Sequence, residues 1–271
     1  MSDRYGVVGH PISHSKSPII HRLFASQTGQ DLTYEPFDID PAEFERQVRS
    51  LAAAGVRGLN VTVPHKEAAA RLVDQLTDRA HLAGAVNTIT LTRSGRLDGD
   101  NTDGVGLLTD LTVNLGLTLA GASILILGAG GATRGIVPAL LGTGPAELRI
   151  ANRTPERAKE LGAQFATLGN VSACRFDELG GQRFDLIINA TSAGLHGELP
   201  PFPASILSPD TVCYDLSYAM TDTPFITWAK QHGVTRAHQG WGMLVEQAAE
   251  AFLIWRGVRP DTRPVREKLP A

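Results

Sequence analysis

The chain has 271 residues, of which 42% are hydrophobic and 20% are charged, and its formal net charge is −3. This composition is ordinary for a soluble globular protein, and the length suits one large domain or two moderate ones. The small negative charge, without a long basic run, argues against nucleic acid or an anionic membrane as a partner. Because there are two cysteines without metal-type spacing and no signal-peptide pattern, we expect a cytoplasmic protein with neither a disulfide framework nor a bound metal.

The first hundred residues alternate short apolar runs with helical patterns, which is typical of βαβ units around a mainly parallel sheet. The predicted strands are Tyr5–Val8, Leu32–Phe37 and Gly58–Val63, and the predicted helices are Ser17–Thr28, Pro41–Ala54 and His65–Leu76. Two more strands, Thr88–Thr92 and Arg96–Gly99, flank a Ser94-Gly95 turn and predict a hairpin that closes this first unit.

A second α/β series begins near Ala122, after a predicted linking helix at Val105–Leu115. Its predicted strands are Ser123–Leu127, Leu148–Ala151, Leu186–Ala190 and Val212–Asp215. Near the C-terminus, apolar residues recur at helical spacing and predict a helix that packs by this face: Leu244, Ala248, Ala251, Phe252 and Trp255. The predicted fold class is therefore α/β, with two α/β domains.

A glycine-rich loop follows the strand Ser123–Leu127 directly and precedes a predicted helix, Thr133–Leu141. The loop approximates the dinucleotide fingerprint G-x-G-x-x-G, although Thr133 stands where the third glycine is expected. Glycines let the backbone approach a pyrophosphate, and the N–H groups of the helix start bind the anion. An ordinary strand-to-helix turn is the alternative. The candidate cofactor contacts here are Gly128, Ala129, Gly130, Gly131 and Ala132.

The residues after the next strand indicate which dinucleotide is bound. An NAD enzyme tends to carry a carboxylate there for the ribose 2′-hydroxyl. This chain instead has Asn152, Arg153 and Thr154, with Arg157 shortly after. Guanidinium groups are planar, fixed donors that suit a 2′-phosphate, so we predict NADP as the cofactor. The alternative is that both arginines are ordinary solvated surface residues.

Four polar clusters stand at strand ends and loops of the first unit: His14–Pro18, Asn60–Lys66, Gly84–Thr88 and Asp100–Gly104. Together they supply hydroxyls, amides, an ammonium group and a carboxylate, which suit a polyhydroxylated acid as substrate. Asn and Ser at such positions also cap helices and turns, so no cluster is decisive alone.

Taken together, these clusters resemble shikimate dehydrogenase. The resemblance runs from Gly9–Pro18 through Asn60–Lys66, the glycine loop and Asn152–Thr154 to Gly240–Gln247. It implies reversible, NADPH-dependent reduction of 3-dehydroshikimate to shikimate in aromatic amino acid biosynthesis. It also implies a substrate-binding domain at 1–104 plus 241–271, to which the C-terminal helices return, and a Rossmann-type NADP-binding domain at 105–240.

The resemblance also assigns residues. Ser15 and Ser17 would bind the substrate carboxylate, and the rest of the substrate pocket would be lined by Asn60, Thr62, Lys66, Asn87, Asp103, Tyr218 and Gln247. The glycine loop and Asn152, Arg153, Thr154 and Arg157 would hold the cofactor phosphates. Leu216 and Gly240 would contact the nicotinamide half, with Asp78 nearby. Two positions depart from the common family pattern, Met220 in place of proline and Gln239 in place of aspartate.

Lys66 and Asp103 are the predicted catalytic pair. In this hypothesis Lys66 protonates or stabilises the developing alkoxide, and Asp103 accepts a substrate hydroxyl proton and positions the ammonium group. Proton transfer and purely electrostatic stabilisation by Lys66 both remain open. Two rival functions are a shikimate/quinate dehydrogenase that also uses NAD, and a non-catalytic NADP-binding regulator. We expect a monomer or homodimer whose partners are small molecules.

Overall fold

The computed structural model describes residues 2–269 except Arg93, Ser192 and residues 194–196. The chain divides into two compact units. The first unit comprises residues up to 107 together with 244–268, and the second comprises 108–243. The chain therefore passes between the units twice, and its C-terminal helices belong with the N-terminal unit.

The first unit is built on a six-stranded sheet of order β2-β1-β3-β5-β6-β4. Its strands are β1 (Asp3–Gly9), β2 (Leu32–Asp38), β3 (Val56–Val61), β4 (Gln75–Leu76), β5 (Thr88–Leu91) and β6 (Leu97–Asp100). Its helices up to this point are α1 (Ser17–Thr28), α2 (Phe44–Ala53), α3 (Lys66–Leu72) and α4 (Asp78–Ala83), with a 3-10 turn at Pro41–Glu43.

The sheet of the first unit is mixed rather than wholly parallel. β1 lies parallel to β2 and β3, whereas β5 runs antiparallel to both β3 and β6. The predicted hairpin is confirmed as the β5–β6 pair. Because a hairpin reverses the chain, it introduces antiparallel neighbours into a sheet that the βαβ pattern alone predicts to be parallel.

The prediction of one helix over His65–Leu76 is wrong beyond Leu72. The backbone turns extended at Val73, and Gln75–Leu76 pairs with β6 as an edge strand. Asp74 holds this change of direction, since its N–H donates to Leu97 O at 2.8 Å and its carboxylate accepts from Leu97 N at 2.8 Å. Tertiary pairing here overrides the local helical pattern. The helix α4 that follows was not predicted.

The predicted linking helix is real, but it starts earlier and changes type. The helix α5 (Asp103–Thr109) begins where Asn101 Oδ1 accepts from Asp103 N at 3.1 Å. It continues as a π-helical turn over Asp110–Asn114, in which Leu115 N donates to Asp110 O at 2.9 Å. The last part of the predicted helix is therefore wound more loosely than an α-helix.

The second unit contains a six-stranded sheet of order β12-β11-β10-β7-β8-β9, and all its pairs are parallel. The strands are β7 (Ser123–Leu127), β8 (Glu147–Ala151), β9 (Val171–Cys174), β10 (Leu186–Asn189), β11 (Val212–Asp215) and β12 (Arg236–Gln239). The helices are α6 (Gly131–Leu141), α7 (Pro155–Phe165) and α8 (Pro224–Gln231). This is the Rossmann-like arrangement that the glycine loop predicts, with β9, β12, α7 and α8 as elements not predicted from sequence.

The chain ends in two helices, α9 (Trp241–Arg256) and α10 (Arg263–Lys268). The predicted apolar stripe on α9 is confirmed as core, since Ala248, Ala251 and Phe252 are fully buried. Trp255 stacks on Tyr5 with ring centroids 4.9 Å apart and donates to Ile89 O at 3.2 Å. The stripe therefore packs against the sheet of the first unit. Among the described residues, no helix combines the length and hydropathy needed to span a membrane.

Candidate active site

Lys66 and Asp103 form a close ion pair in the first unit. Lys66 Nζ donates to Asp103 Oδ2 at 2.6 Å, with the side chains only 14% and 4% exposed. Each is the first residue of its helix, Lys66 of α3 and Asp103 of α5. His65 anchors the start of α3, because its ring stacks on Phe44 and its Nε2 lies 2.8 Å from Ile39 O. Burial lowers the pKa of His65, which favours the neutral ring as a donor to that carbonyl.

Asn87 holds the other oxygen of the Asp103 carboxylate. Its Nδ2 donates to Asp103 Oδ1 at 2.8 Å and also lies 2.9 Å from Thr102 Oγ1. The backbone N–H of Thr102 donates to Asn87 Oδ1 at 2.8 Å. A backbone N–H can only donate, so this bond determines which amide atom of Asn87 is oxygen. The amide therefore turns its nitrogen towards the carboxylate.

Asn60, at the carboxyl end of β3, is fixed in the same way. Its Nδ2 donates to Asn87 O at 3.3 Å and to Thr88 Oγ1 at 3.2 Å. Its Oδ1 accepts from the Tyr34 hydroxyl at 2.8 Å. Asn60 lies opposite Thr88 in the β3–β5 pair, so strand register brings these side chains together.

Gln247 reaches the same cluster from α9. Its Oε1 lies 3.3 Å from Asn87 Nδ2, and its Nε2 donates to Leu244 O at 2.8 Å. The approach depends on Gly106 in α5, where a Cβ atom would come within 2.6 Å of Gln247 Cβ and 2.7 Å of its backbone nitrogen. A side chain at position 106 would therefore push α9 away from the cluster.

The structure thus joins five predicted site residues in one hydrogen-bonded network: Asn60, Lys66, Asn87, Asp103 and Gln247. Of the other predicted first-unit residues, Ser17 borders this network through a side-chain hydrogen bond to Tyr34. Ser17 is buried at the start of α1, and its N–H lies 3.3 Å from Ser15 Oγ. Ser15 and Thr62 are half-buried, which leaves both hydroxyls partly accessible.

The glycine loop of the second unit has the backbone geometry of a phosphate cradle. Gly128 has a φ of +108°, and a Cβ there would come within 3.0 Å of the Ala190 backbone. The helix α6 begins at Gly131, two residues before the predicted start. Gly130 is its N-cap and supplies no side-chain acceptor, which leaves N–H groups of the first turn for a ligand. Thr133, which replaces the third glycine of the fingerprint, stabilises the turn, because its Oγ1 donates to Gly128 O at 2.9 Å.

Both predicted phosphate-binding arginines lie exposed after β8. Within the described residues, neither Arg153 nor Arg157 has a carboxylate partner. Asn152 Nδ2 donates to Thr154 O at 2.8 Å, which shapes the loop that carries Arg153. Thr154 is itself exposed. Exposed guanidinium groups in the unit that carries the glycine cradle, with no carboxylate at positions 152–154 directly after β8, fit the 2′-phosphate of NADP.

The remaining second-unit residues lie near the carboxyl ends of β10 and β11. Leu216 N donates to Asn189 O at 2.9 Å, and Gly240 N donates to Ser217 O at 3.0 Å. Tyr218 packs against Trp241 with ring centroids 4.5 Å apart. Carboxyl ends of parallel strands are where ligands bind in doubly wound sheets. Asp78, also assigned to the cofactor, is exposed at the start of α4 in the first unit.

The two departures from the common pattern have different surroundings. Met220 is 61% exposed. Gln239 holds the loop that contains Met220. Its Oε1 accepts from Ala219 N at 2.7 Å, and its Nε2 donates to Thr221 O at 3.1 Å. An aspartate at this position would keep an acceptor for Ala219 N but would lack the N–H donor to Thr221 O.

Three family models match successive parts of the chain. The shikimate dehydrogenase substrate binding domain matches residues 7–89, shikimate / quinate 5-dehydrogenase matches 111–196, and the shikimate 5′-dehydrogenase C-terminal domain matches 240–269. A shikimate dehydrogenase (NADP(+)) of Methylococcus capsulatus is 59% identical over 269 residues, which cover 99% of this chain and 96% of the relative. The chain belongs to the shikimate dehydrogenase family.

Solved structures share the fold of this chain. An Ael1 enzyme from Pseudomonas putida superposes with a TM-score of 0.90 at 45% identity, covering 100% of this chain and 99% of that one. Shikimate 5-dehydrogenase from Thermus thermophilus, in complex with NADP(H) and shikimate, superposes with a TM-score of 0.86 at 34% identity, covering 98% and 97%. The predicted family, two-domain α/β fold and class of NADP-dependent dehydrogenase are confirmed.

Sequence reasoning missed three members of the network in the first unit: Tyr34, Thr88 and Thr102. Thr88 and Thr102 lie inside two of the polar clusters, next to Asn87 and Asp103, so their position in the chain was a usable signal. Tyr34 gave no such signal. It lies in the apolar pattern of β2 and reads as a core residue, and it is indeed only 8% exposed.

Proposed function

We propose that this protein catalyses the reversible, NADPH-dependent reduction of 3-dehydroshikimate to shikimate. The observation that carries the proposal is the buried Lys66–Asp103 pair at 2.6 Å, held within a network of amides and hydroxyls. The network lies in the first unit, and a glycine cradle with exposed arginines lies in the second. The Thermus thermophilus relative, 34% identical, is a complex with NADP(H) and shikimate, which supports both ligands.

NADPH supplies a hydride to the substrate carbon when it is bound, and the chain's own residues manage the oxygen and its proton. We assign Lys66 to the carbonyl oxygen, where its ammonium group stabilises the developing alkoxide, which then takes up a proton from solvent to become the hydroxyl group. The 2.6 Å contact with Asp103 supports this electrostatic role, because it fixes the position of the ammonium group.

Asp103 then has two tasks in the proposal. One oxygen orients Lys66, and the carboxylate accepts a hydrogen bond from a substrate hydroxyl beside the reacting carbon. Asn87 leaves this geometry intact because it binds the opposite carboxylate oxygen, Oδ1. Ser15 and Ser17 are assigned to the substrate carboxylate, and Thr62, Tyr218 and Gln247 to the ring hydroxyls.

The cofactor assignment rests on the second unit. Gly128, Ala129, Gly130, Gly131 and Ala132 would bind the pyrophosphate, and Asn152, Arg153, Thr154 and Arg157 would bind the 2′-phosphate. Leu216 and Gly240 would contact the nicotinamide half, with Asp78 assigned to the same ligand. We also propose that the protein is cytoplasmic and that it is a monomer or a homodimer.

Absorbance of the reduced nicotinamide tests this function directly. Purified protein is assayed with shikimate and with quinate, each against NADP and NAD. We expect the highest kcat/KM with shikimate and NADP. Equal kcat/KM with NAD and NADP would contradict the cofactor assignment, and binding of NADPH without any oxidation of shikimate would support the non-catalytic regulator instead.

A further inference from the structure

The network around Asp103 extends to two residues to which no role has been assigned. Thr88 is fully buried and Tyr34 is 8% exposed. We propose that Thr88 and Tyr34 are positioning residues that lock the Asn60 and Asn87 amides, so that Asn87 donates to Asp103 and leaves Oδ2 of that carboxylate for Lys66. The effect on catalysis rests on the proposed function.

The orientation of Asn60 follows from a group that can only accept. The carbonyl oxygen of Asn87 is an acceptor, so the Asn60 atom that lies 3.3 Å from it is the nitrogen. The Asn60 oxygen therefore faces the Tyr34 hydroxyl at 2.8 Å, and Tyr34 donates. Burial raises the pKa of Tyr34 well above its ordinary value, so the phenol keeps the proton that it donates.

The direction of the Thr88 bond then follows. Asn60 Nδ2 donates to Thr88 Oγ1 at 3.2 Å, so the single Thr88 hydroxyl proton is free to reach Asn87 Oδ1 at 2.9 Å. Thr102 Oγ1, 3.4 Å from the Thr88 hydroxyl, is the weaker alternative acceptor. All donors along this path point from Tyr34 towards Asp103. The path is Tyr34 to Asn60, Asn60 to Thr88, Thr88 to Asn87, and Asn87 to Asp103.

Tyr34, at the start of this path, is held in place by stacking on His21. The Tyr34 ring lies flat on His21, with centroids 4.1 Å apart and planes inclined by 7°. His21 is 1% exposed, and burial lowers its pKa to about 3, so it remains a neutral ring at ordinary pH. A neutral stacked ring fixes the plane of Tyr34 without placing a charge beside the network.

The Thr88 proton matters because a primary amide can turn over. If the Asn87 amide turned by 180°, its oxygen would face the Asp103 carboxylate, and two acceptors would meet without a proton between them. The Thr88 hydroxyl and the Thr102 N–H both donate to Asn87 Oδ1 and oppose that turn. Losing one donor weakens the lock and loosens the carboxylate that orients Lys66.

Two substitutions at Thr88 separate positioning from packing. Thr88→Val keeps the shape and removes the hydroxyl, so we expect kcat to fall roughly 10- to 100-fold, as for an unpaired buried polar group. Substrate KM should change much less. Thr88→Ser keeps the hydroxyl and removes a methyl group, so it should lower Tm yet retain kcat within about threefold. Tyr34→Phe, at the far end of the path, should have a smaller effect on kcat than Thr88→Val.

Thr90→Val is the matched control. Thr90 lies two residues further along β5, is half-buried, and undergoes the same chemical change. It should leave kcat unaltered. The proposal is overturned if Thr88→Val retains the kcat of Thr90→Val, or if Thr88→Ser loses as much kcat as Thr88→Val.

A crystal structure of the Thr88→Val variant tests, independently of the reaction, whether the Thr88 hydroxyl fixes the orientation of the Asn87 amide. We expect the Asn87 amide to be turned or displaced, with the contact from Nδ2 to Asp103 Oδ1 lost or lengthened beyond 3.5 Å. An unchanged contact would contradict the positioning role even if the enzyme acts on another substrate. Conversely, a broken contact in a protein inactive on shikimate would support the lock and remove the proposed function.

Discussion

The proposed substrate site in the first unit and the proposed cofactor site in the second are each suited to a charged ligand, but they are built in opposite ways. In the first unit, Asn60, Asn87 and Asp103 are buried and already hydrogen-bonded to one another. In the second, Arg153 and Arg157 are exposed, and the described residues supply neither with a carboxylate partner. The polar groups of the first site bind one another, and the arginines of the second offer donors that a ligand would satisfy.

The difference follows from the chemistry required of each site. A reacting carbon needs an ammonium group and a carboxylate fixed to within fractions of an ångström, and buried bonds provide that rigidity. A phosphate needs strong donors, and an exposed guanidinium group can adjust to it at little cost. Mutations within the buried network of the first unit should therefore act mainly on kcat, and mutations of the exposed arginines in the second should act on cofactor affinity.

The largest effect is expected for Lys66→Ala. Removal of an acid–base or alkoxide-stabilising group should lower kcat by roughly 10²–10⁴-fold, with substrate KM less affected. Steady-state kinetics at saturating NADPH measures this. Lys159→Ala removes an exposed lysine from α7 and should leave kcat unchanged. A loss of less than threefold for Lys66→Ala would remove Lys66 from the chemistry.

The next effect is expected at Arg153. Arg153→Ala should weaken NADPH binding by about 1.5–3 kcal/mol, the range for a hydrogen bond to a charged group, and leave NADH binding unchanged. Titration calorimetry with each nucleotide measures both affinities. Arg175→Ala removes an exposed arginine that already pairs with Asp177, and it serves as the control. Equal losses for NADPH and NADH would contradict recognition of the 2′-phosphate.

A smaller effect, on folding stability, is expected for Gly128→Ala. The φ of +108° and the 3.0 Å approach of Ala190 should together lower the free energy of unfolding by roughly 1–3 kcal/mol. Denaturant unfolding without cofactor measures it. Gly130→Ala is the matched control, because a Cβ at Gly130 meets no atom within 4 Å and its φ is −107°. If both variants lost the same stability, the strain assigned to Gly128 would be wrong.

The smallest effect is expected for Ser15→Ala. Loss of one partly accessible hydroxyl should raise substrate KM by roughly 3- to 10-fold and leave kcat nearly unchanged. Initial-rate kinetics with shikimate measures the split between the two parameters. Ser50→Ala, an exposed position on α2, provides the comparison. An unaltered KM for Ser15→Ala would count against the carboxylate assignment.

Local patterns predicted the parts of this molecule that depend on neighbours in the chain. The apolar run of β7, the glycines after it and the arginines after β8 all lie within residues 123–157, and their order alone predicts a dinucleotide fold. The Ser94-Gly95 turn likewise predicted the hairpin, since turn geometry and register are local properties. Where a pattern competed with tertiary pairing it failed, as at Gln75–Leu76, which pairs with β6 instead of extending α3.

The sequence by itself thus determined the family, the α/β class, the glycine cradle and the polar residue types that any site would use. Only the tertiary structure decided how those residues bond. It placed Gln247 beside Asn87, 160 positions away in the chain, and Tyr34 beside Asn60 on the next-but-one strand of the sheet. Those contacts depend on strand order and helix packing, and neither is written in the spacing of residues along the chain.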